Sequence, residues 1–281
     1  HFGPRAIRTI KHSDVEGYKL KRLQMPVVVR LRDTTDKSTP RRSRITQKTE
    51  ARKETETRQR SITAVNRELE LMRAMMRFAQ REGWLFKSPF EAGSPVISKA
   101  SERTRDRVLT YEEELRLLNA CRGRREHLGK LLICALDTGM RRGELFKLVW
   151  GDVDFGANFI RVRATNTKTE TARTVGMTPR VRDCLLSLRA VAPPEYTGSV
   201  FGIRDTVKTA FASALREAAI DDFRLHDCRH TAITRMIQAG MAAAEVMKIS
   251  GHTQWNTFAR YVNVNEQAAR KGADMLAEHH T

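Results

Sequence analysis

Over most of this chain apolar side chains recur at the period of an α-helix, and at the period of a strand in one short region only. The clearest case is Val65, Leu69, Met72, Met76 and Ala79, which fall at i, i+4, i+7, i+11 and i+14. Such spacing winds into a single stripe. It predicts a helix over 63–80, stopped by Gly83, with Trp84, Leu85 and Phe86 placed to pack beneath it. Leu128, Leu131, Leu132, Ala135 and Leu136 predict a second, buried helix ended by Gly139, with Arg141 in the turn that follows. Two strands are expected, Phe159 to Arg163 and Thr171 to Met177, joined by the polar turn Thr165 to Glu170. A chain patterned this way is mainly α with a small antiparallel β-sheet.

Local signals place further helices. Residues 10–23 carry Asp14 early, with Tyr18, Leu20 and Leu23 as expected apolar contacts. Thr110 and Glu113 form a capping box that opens a helix to about Ala120. Thr178-Pro179 starts another, running to Ala190. Val207, Phe211, Leu215 and Ala218 stripe one more, and short helices are expected over 143–149, 226–239, 243–249 and 256–262. A last amphipathic helix is expected from Gln267 to Glu278.

The chain divides in two. Pro89 to Arg105 holds Gly93, prolines and serines, the composition of a linker. Roughly ten extended residues span about 33 Å, enough to pass around a duplex. The expected division is a helical domain over 1–94, a linker over 95–105 and a second domain over 106–281. Inside the first domain, residues 24–60 form a basic insertion, of which Arg30 to Arg60 is too poor in apolar residues to build a core. It is either an exposed loop or a segment that tracks a partner.

Charge narrows the partner. The formal net charge is +18 with pI near 10.3. Residues 1–110 hold 26 Lys+Arg against 13 Asp+Glu, a net of +13, and residues 111–281 hold 25 against 20, a net of +5. The excess favours nucleic acid first and an acidic membrane surface second. Arg67, Arg73, Arg77 and Arg81 line the face opposite the 65–79 stripe, either solvated or set against phosphates. Cys121, Cys134, Cys184 and Cys228 are scattered, which argues against a disulfide framework or a four-cysteine zinc site and fits a reducing cytoplasm. No signal peptide or membrane-length apolar run is visible. The chain begins with His1, and Phe2-Gly3-Pro4-Arg5-Ala6-Ile7 reads as mid-domain sequence, so an upstream piece is expected.

The candidate chemistry gathers in the C-terminal third, with one upstream contribution. A phosphodiester attacked at phosphorus builds charge on its non-bridging oxygens, which suits the planar, always-charged guanidinium. Arg141 and Arg229 are the candidates, and Glu144, three residues past Arg141, is placed to brace it on one helical turn. Tyr261 is the candidate nucleophile. A phenol with pKa near 10 needs a base or nearby positive charge. His226 and His252 are the candidates for that help, and Lys168 in Thr167-Lys168-Thr169 for protonating the leaving sugar oxygen. None of this requires a metal.

The joint pattern resembles the tyrosine recombinases, the phage-integrase-type family of site-specific DNA recombinases, over about residues 60–265. The motifs that carry the resemblance are Thr138-Gly139-Met140-Arg141-Arg142-Gly143-Glu144-Leu145, Thr167-Lys168-Thr169 with Arg173-Thr174-Val175, His226-Asp227-Cys228-Arg229-His230-Thr231, Gly251-His252, and Tyr261 nine residues on. The upstream helix with Asn66-Arg67-Glu68-Leu69, ending in Gly83-Trp84, resembles the family's core-DNA-binding domain. The resemblance implies an α+β catalytic domain with Tyr261, Arg141, Arg229, His226, His252 and Lys168 as catalytic residues, supported by Glu144 and His230. It implies a 3′-phosphotyrosyl intermediate, resealing by a 5′-hydroxyl, no cofactor or metal, and four protomers on two double-stranded attachment sites. It also implies that Gln267 to Glu278 packs on a neighbouring protomer. Two departures stand out: Cys228 where leucine is common, and the long basic stretch from Gln24 to Arg60.

Three other readings compete. A type IB topoisomerase would share the tyrosine chemistry, and a DNA-binding regulator would need the basic charge without catalysis. A zinc hydrolase would use His226 and His230 at i, i+4. Arg229 between them would repel a dication, and the general-base glutamate of such sites is absent.

Overall fold

The computed structural model describes residues 1–30, 55–102, 105–166, 171–203, 206–262 and 277. It falls into two compact units, His1–Arg105 and Asp106–Thr281.

The first unit is built on two helices, α1 (His12–Gln24) and α2 (Ile62–Arg81). Asp14 starts α1 by accepting the Lys11 backbone N–H at 2.8 Å, and Ser61 starts α2 by accepting the Ala64 N–H at 3.2 Å. Val65, Leu69, Met76 and Ala79 are buried as the stripe predicts, and Met72 is partly buried beside them. Val15, Tyr18 and Leu23 of α1 meet that stripe. Leu20 does not, being 61% exposed. At 3.6 residues per turn it lies roughly 140° around the helix from Val15. The Tyr18 hydroxyl and the Arg22 guanidinium both donate to Glu68, tying α1 to α2.

Beyond α2, Gly83 turns the chain with φ of +74°. Leu85 then points inward; Trp84, 62% exposed, sets its ring edge-on against Phe78 of α2 at 5.8 Å, and Phe86 is 99% exposed, against the expectation that all three pack beneath the helix. Three consecutive side chains leaving a tight turn cannot share one direction. The basic insertion also holds a surprise for a domain expected to be helical. Strand β1 (Val27–Arg30) pairs antiparallel with β2 (Thr55–Arg58), Val27 opposite Arg58 and Arg30 opposite Thr55. Residues 31–54 of the insertion lie outside the described residues. Part of the expected linker is folded: Val96 is buried against Val15, Val65 and Leu69, and Asn66 donates to Ser98 O and Glu102 Oε1.

The second unit opens with α3 (Tyr111–Asn119), whose capping box is formed by Thr110 and Glu113. Its centre is α4 (Glu126–Thr138), packed against α6 (Pro179–Val191) and α8 (Asp227–Gln238). Leu128, Leu131 and Leu132 are fully buried, each worth about 1.5–3 kcal/mol of transfer free energy. Short α5 (Arg142–Phe146) follows α4. A three-stranded antiparallel sheet comes next, β3 (Val153–Asp154), β4 (Phe159–Val162) and β5 (Arg173–Gly176), in that spatial order. Strand β3, two residues long, adds to the expected pair. Helices α7 (Lys208–Glu217), α9 (Ala243–Ser250) and α10 (Trp255–Phe258) are the remaining helices among the described residues, the last running into a 3₁₀ turn, Ala259–Tyr261. The expected helix from Gln267 to Glu278 lies outside the described residues, Ala277 apart.

Among the described residues, no helix is long and apolar enough to cross a membrane.

Candidate active site

Two glycine turns frame the site. Helix α4 ends at Gly139 (φ +62°) and α9 at Gly251 (φ +69°), both left-handed and so favouring a residue without Cβ. Each turn leaves a carbonyl facing an arginine from elsewhere in the sequence. Arg229 donates from Nη1 to Gly139 O at 2.8 Å, and Arg141 donates from Nη2 to Gly251 O at 2.7 Å. A Cβ built at Gly251 would lie 3.1 Å from Arg173 Nη1 and 3.3 Å from Arg141 Nη1.

Arg141 is the N-cap of α5, with Glu144 three residues into that turn. Glu144 Oε2 accepts the Arg141 backbone N–H at 2.8 Å, and Oε1 accepts Arg141 Nη1 at 3.0 Å. Arg173, at the start of β5, reaches the same carboxylate with both terminal nitrogens, at 3.0 and 2.6 Å, and donates from Nε to Ile249 O at 2.6 Å. Burial alone would raise the Glu144 carboxyl; the Arg173 and Arg141 hydrogen bonds outweigh it and hold it below the usual range. Sequence reasoning quoted Arg173 within a motif without giving it a role. Its tie to Glu144 spans 29 positions, and no spacing rule reports such a pair.

Arg229 is 4% exposed. Among the described residues its hydrogen-bond partners are the Gly139 carbonyl and, at 3.4 Å, His252 Nδ1, neither of which neutralises it. Burial, then the neighbouring Arg141, lowers its pKa to about 10. It remains charged at neutral pH, a desolvated cation suited to an anion that arrives from outside.

Tyr261 sits in the 3₁₀ turn that follows α10. That turn is pinned by Phe258, fully buried against Ile233 and Val246. The Tyr261 ring lies 4.8 Å from the His230 ring and 5.9 Å from the His252 ring, centroid to centroid. Arg260 stands over it at 5.4 Å. Burial raises the Tyr261 pKa, with Arg260 and Arg229 opposing. At neutral pH it is a protonated phenol.

The three imidazoles are all held below their ordinary pKa. His252 is brought to about 4 by burial, then by Arg229 and Arg141. His230, nearly buried, is lowered by burial and then Arg260, and its Nδ1 is buried with no hydrogen-bond partner. His226, at the N-cap of α8, is open to solvent on one side; protein packed on the other side and the Arg229 guanidinium lower it. These groups are neutral near pH 7, able to donate or accept a proton.

The second unit thus brings Arg141, Glu144, Arg229, His230, His252 and Tyr261 into one connected cluster, with His226 at its edge. Lys168 lies outside the described residues. Arg67, Arg73, Arg77 and Arg81 belong to the other unit. There Arg67 is paired with Glu70 at 2.5 Å and Glu102 at 3.7 Å, while Arg73, Arg77 and Arg81 line an open groove along α2. Among the described residues no three His, Cys, Asp or Glu side chains converge to hold a metal ion, so His226 and His230 have no third donor there.

Residues 107–268 match the model of the phage integrase family. The chain is 31% identical over 204 residues to a shufflon-specific DNA recombinase of Escherichia coli, covering 71% of this chain and 50% of that protein. It is 26% identical over 213 residues to the integrase of Salmonella phage P22, covering 70% and 52% respectively. The chain therefore spans about half the length of these relatives. In fold it is similar to the Tn1549 transposon integrase solved with transposon right end DNA, with a TM-score of 0.72 at 19% identity over 99% of this chain and 89% of that one. It is also similar to a lambda integrase dimer bound to a COC′ core site, with a TM-score of 0.59 at 13% identity over 93% and 83%.

Proposed function

The chain belongs to the phage integrase family, and from that premise we propose that it is a site-specific DNA recombinase that cuts and rejoins strands through a phosphotyrosyl link on Tyr261. The supporting observation is the cluster itself: a phenol beside neutral imidazoles, in a site whose buried Arg229 has no carboxylate among its hydrogen-bond partners.

The reaction follows from those parts. Tyr261 loses its proton to an imidazole or to water, and its oxygen attacks the scissile phosphorus. Arg141 and Arg229 take the charge that grows on the non-bridging oxygens. The bond to the 5′ oxygen breaks, and that oxygen takes a proton from Lys168. A 3′-phosphotyrosyl ester and a free 5′-hydroxyl result. The reverse attack by the 5′-hydroxyl of a partner strand frees Tyr261 and reseals the backbone. One phosphodiester is exchanged for another at each step, so no external energy source is consumed.

The expected partner is double-stranded DNA carrying two attachment sites, held by four protomers, in the cytoplasm. The relatives' printed names, recombinase and integrase, support the DNA partner. The arginines of α2 would grip phosphates outside the cut.

Trapping tests the reading. The protein is mixed with nicked duplexes carrying its attachment site, in which cleavage releases the downstream oligonucleotide. It is then resolved under denaturing conditions. A shifted band that survives EDTA and vanishes in Tyr261→Phe is the expected result. DNA binding without any adduct in the wild type would overturn it.

A further inference from the structure

We propose that a cavity beside the reacting cluster is a nucleotide site, which takes an unstacked nucleobase against three phenylalanines and the attached phosphate on a rim of cations. Two sources supply that chemistry, a base turned out of the bound strand and a free mononucleotide. The first rests on the recombinase reading above; the second does not.

The cavity lies between α7, the turn that starts α5 and the chain entering α8, and encloses about 720 Å³. Small-molecule sites span about 300–1,000 Å³. Phe146, Phe211 and Phe223 line it. Phe211 and Phe223 are 7% and 5% exposed, with ring centroids 6.3 Å apart and planes tilted by 49°, so core packing fixes the wall they make.

Arg142, Lys208 and Arg224 line the same cavity and are exposed. Among the described residues none of the three forms an ion pair with a carboxylate. Arg173, Arg180 and Arg235 of the same unit all do. Arg142 stands over the Phe146 ring at 5.9 Å.

These two halves together select the ligand. A grip on phosphates alone needs cations and no apolar hollow. A neutral apolar ligand would fill the hollow and leave three cations unanswered. A nucleotide answers both. Its base has a π-face that stacks on aromatic rings whatever the sequence. Its phosphate accepts from guanidinium and ammonium donors.

The position favours the strand as the source. Arg141 and His226 line this cavity and also belong to the reacting cluster or its edge. A strand whose phosphate meets Arg141 therefore carries its neighbouring base past the cavity mouth. Unstacking costs a few kcal/mol at most and least where the base is already unpaired. A base held there is off its complement and open to a new partner strand.

The test uses the fluorescent base aminopurine, dark in a stack and bright out of one, with Tyr261→Phe protein so that nothing is cut. In the first arm the probe is the free 5′-monophosphate, and anisotropy reads binding. In the second it stands beside the nick of the duplex used for trapping, with protein saturating, and intensity reads unstacking. Ala212 is exposed on α7 and lines the cavity, so Ala212→Phe fills the hollow without disturbing the core. Lys208→Gln with Arg224→Gln strips the rim. The free nucleotide should lose about fivefold or more in affinity in Ala212→Phe, the lower end of what one stacked base contributes. It should bind more tightly than its nucleoside, and the rim variant should erase that difference. In the duplex, brightening should vanish in Ala212→Phe while the duplex stays bound. A response in the first arm alone makes a free nucleotide the ligand; a response in the second assigns the site to the strand. No response in either arm overturns the proposal, and so does a response that survives Ala212→Phe. The first arm contains no DNA and the second no cleavage, so a failed trapping experiment leaves both results standing.

Discussion

Replacing Glu144 by glutamine should be strongly destabilising. The Glu144 side chain is 1% exposed and stands between two guanidiniums, those of Arg141 and Arg173, the latter itself 8% exposed. The amide keeps one acceptor oxygen. Its nitrogen would meet a guanidinium donor, and no carboxylate would separate the cations. Removing one partner of a buried pair costs about 3–5 kcal/mol, against about 5–15 kcal/mol of total stability for a typical domain. For a unit of this size each kcal/mol moves the melting temperature by about 2–4 °C, so a fall of about 6–20 °C is expected. Calorimetry at pH 7 measures it. The pH dependence supplies a second check. The folded carboxyl is held below its ordinary value, so its contribution is complete above the unfolded pKa of about 4.3 and is lost as pH falls through the lower folded value. The gap between wild type and Glu144→Gln should therefore be constant from pH 7 to about 5 and close in stronger acid. A melting temperature within about 2 °C of wild type at pH 7, less than 1 kcal/mol, would refute the argument.

Other perturbations separate other parts of the molecule. His226, His230 and His252 are all lowered in the folded state, His252 to about 4. The unfolded chain therefore binds more protons as pH falls below about 6.5, and stability should drop from there toward pH 4. Urea unfolding at stepped pH measures this, and a flat profile would contradict it. Replacing Arg73, Arg77 and Arg81 together by alanine should lower the slope of log affinity against log salt by up to about 3, near 0.9 for each phosphate contact. Arg67→Ala should change it less, because Arg67 is already paired with Glu70 and Glu102. An unchanged slope in the triple variant would return that face to solvent. Deleting the residues after Val264 should reduce four-protomer assembly on DNA, read by native mass; undiminished assembly would reject the C-terminal contact.

What the sequence disclosed depended on how far each interaction reaches along the chain. Helix stripes, the Thr110–Glu113 capping box and the stops at Gly83 and Gly139 are local, and the elements they predict are present. Arg141, Arg229, His252 and Tyr261 were legible as a set because their motifs are short and ordered. The expected helix over 256–262 proved to be one turn of α-helix and a 3₁₀ turn, a difference of hydrogen-bond pattern that apolar spacing does not record. The pairing of Val27–Arg30 with Thr55–Arg58 was invisible. A two-stranded ribbon is held by its backbone ladder, and these strands carry no alternating apolar face. Trp84 and Phe86 misled for the opposite reason, since hydrophobicity states a preference and the turn at Gly83 sets a direction. Arg173 was missed because its importance lies wholly in its partner, a carboxylate 29 positions away.

The crossed contacts at the two glycine turns bear on how such a site is lost. Arg229 holds the end of α4 through the Gly139 carbonyl, and Arg141 holds the end of α9 through the Gly251 carbonyl. Fraying at either helix end therefore takes one hydrogen bond from the arginine that belongs to the other motif. The amides of 139–145 and 249–252 should exchange with solvent in one shared opening event and not in two. On the recombinase reading, a strand bound there would find the two arginines loosened together or held together.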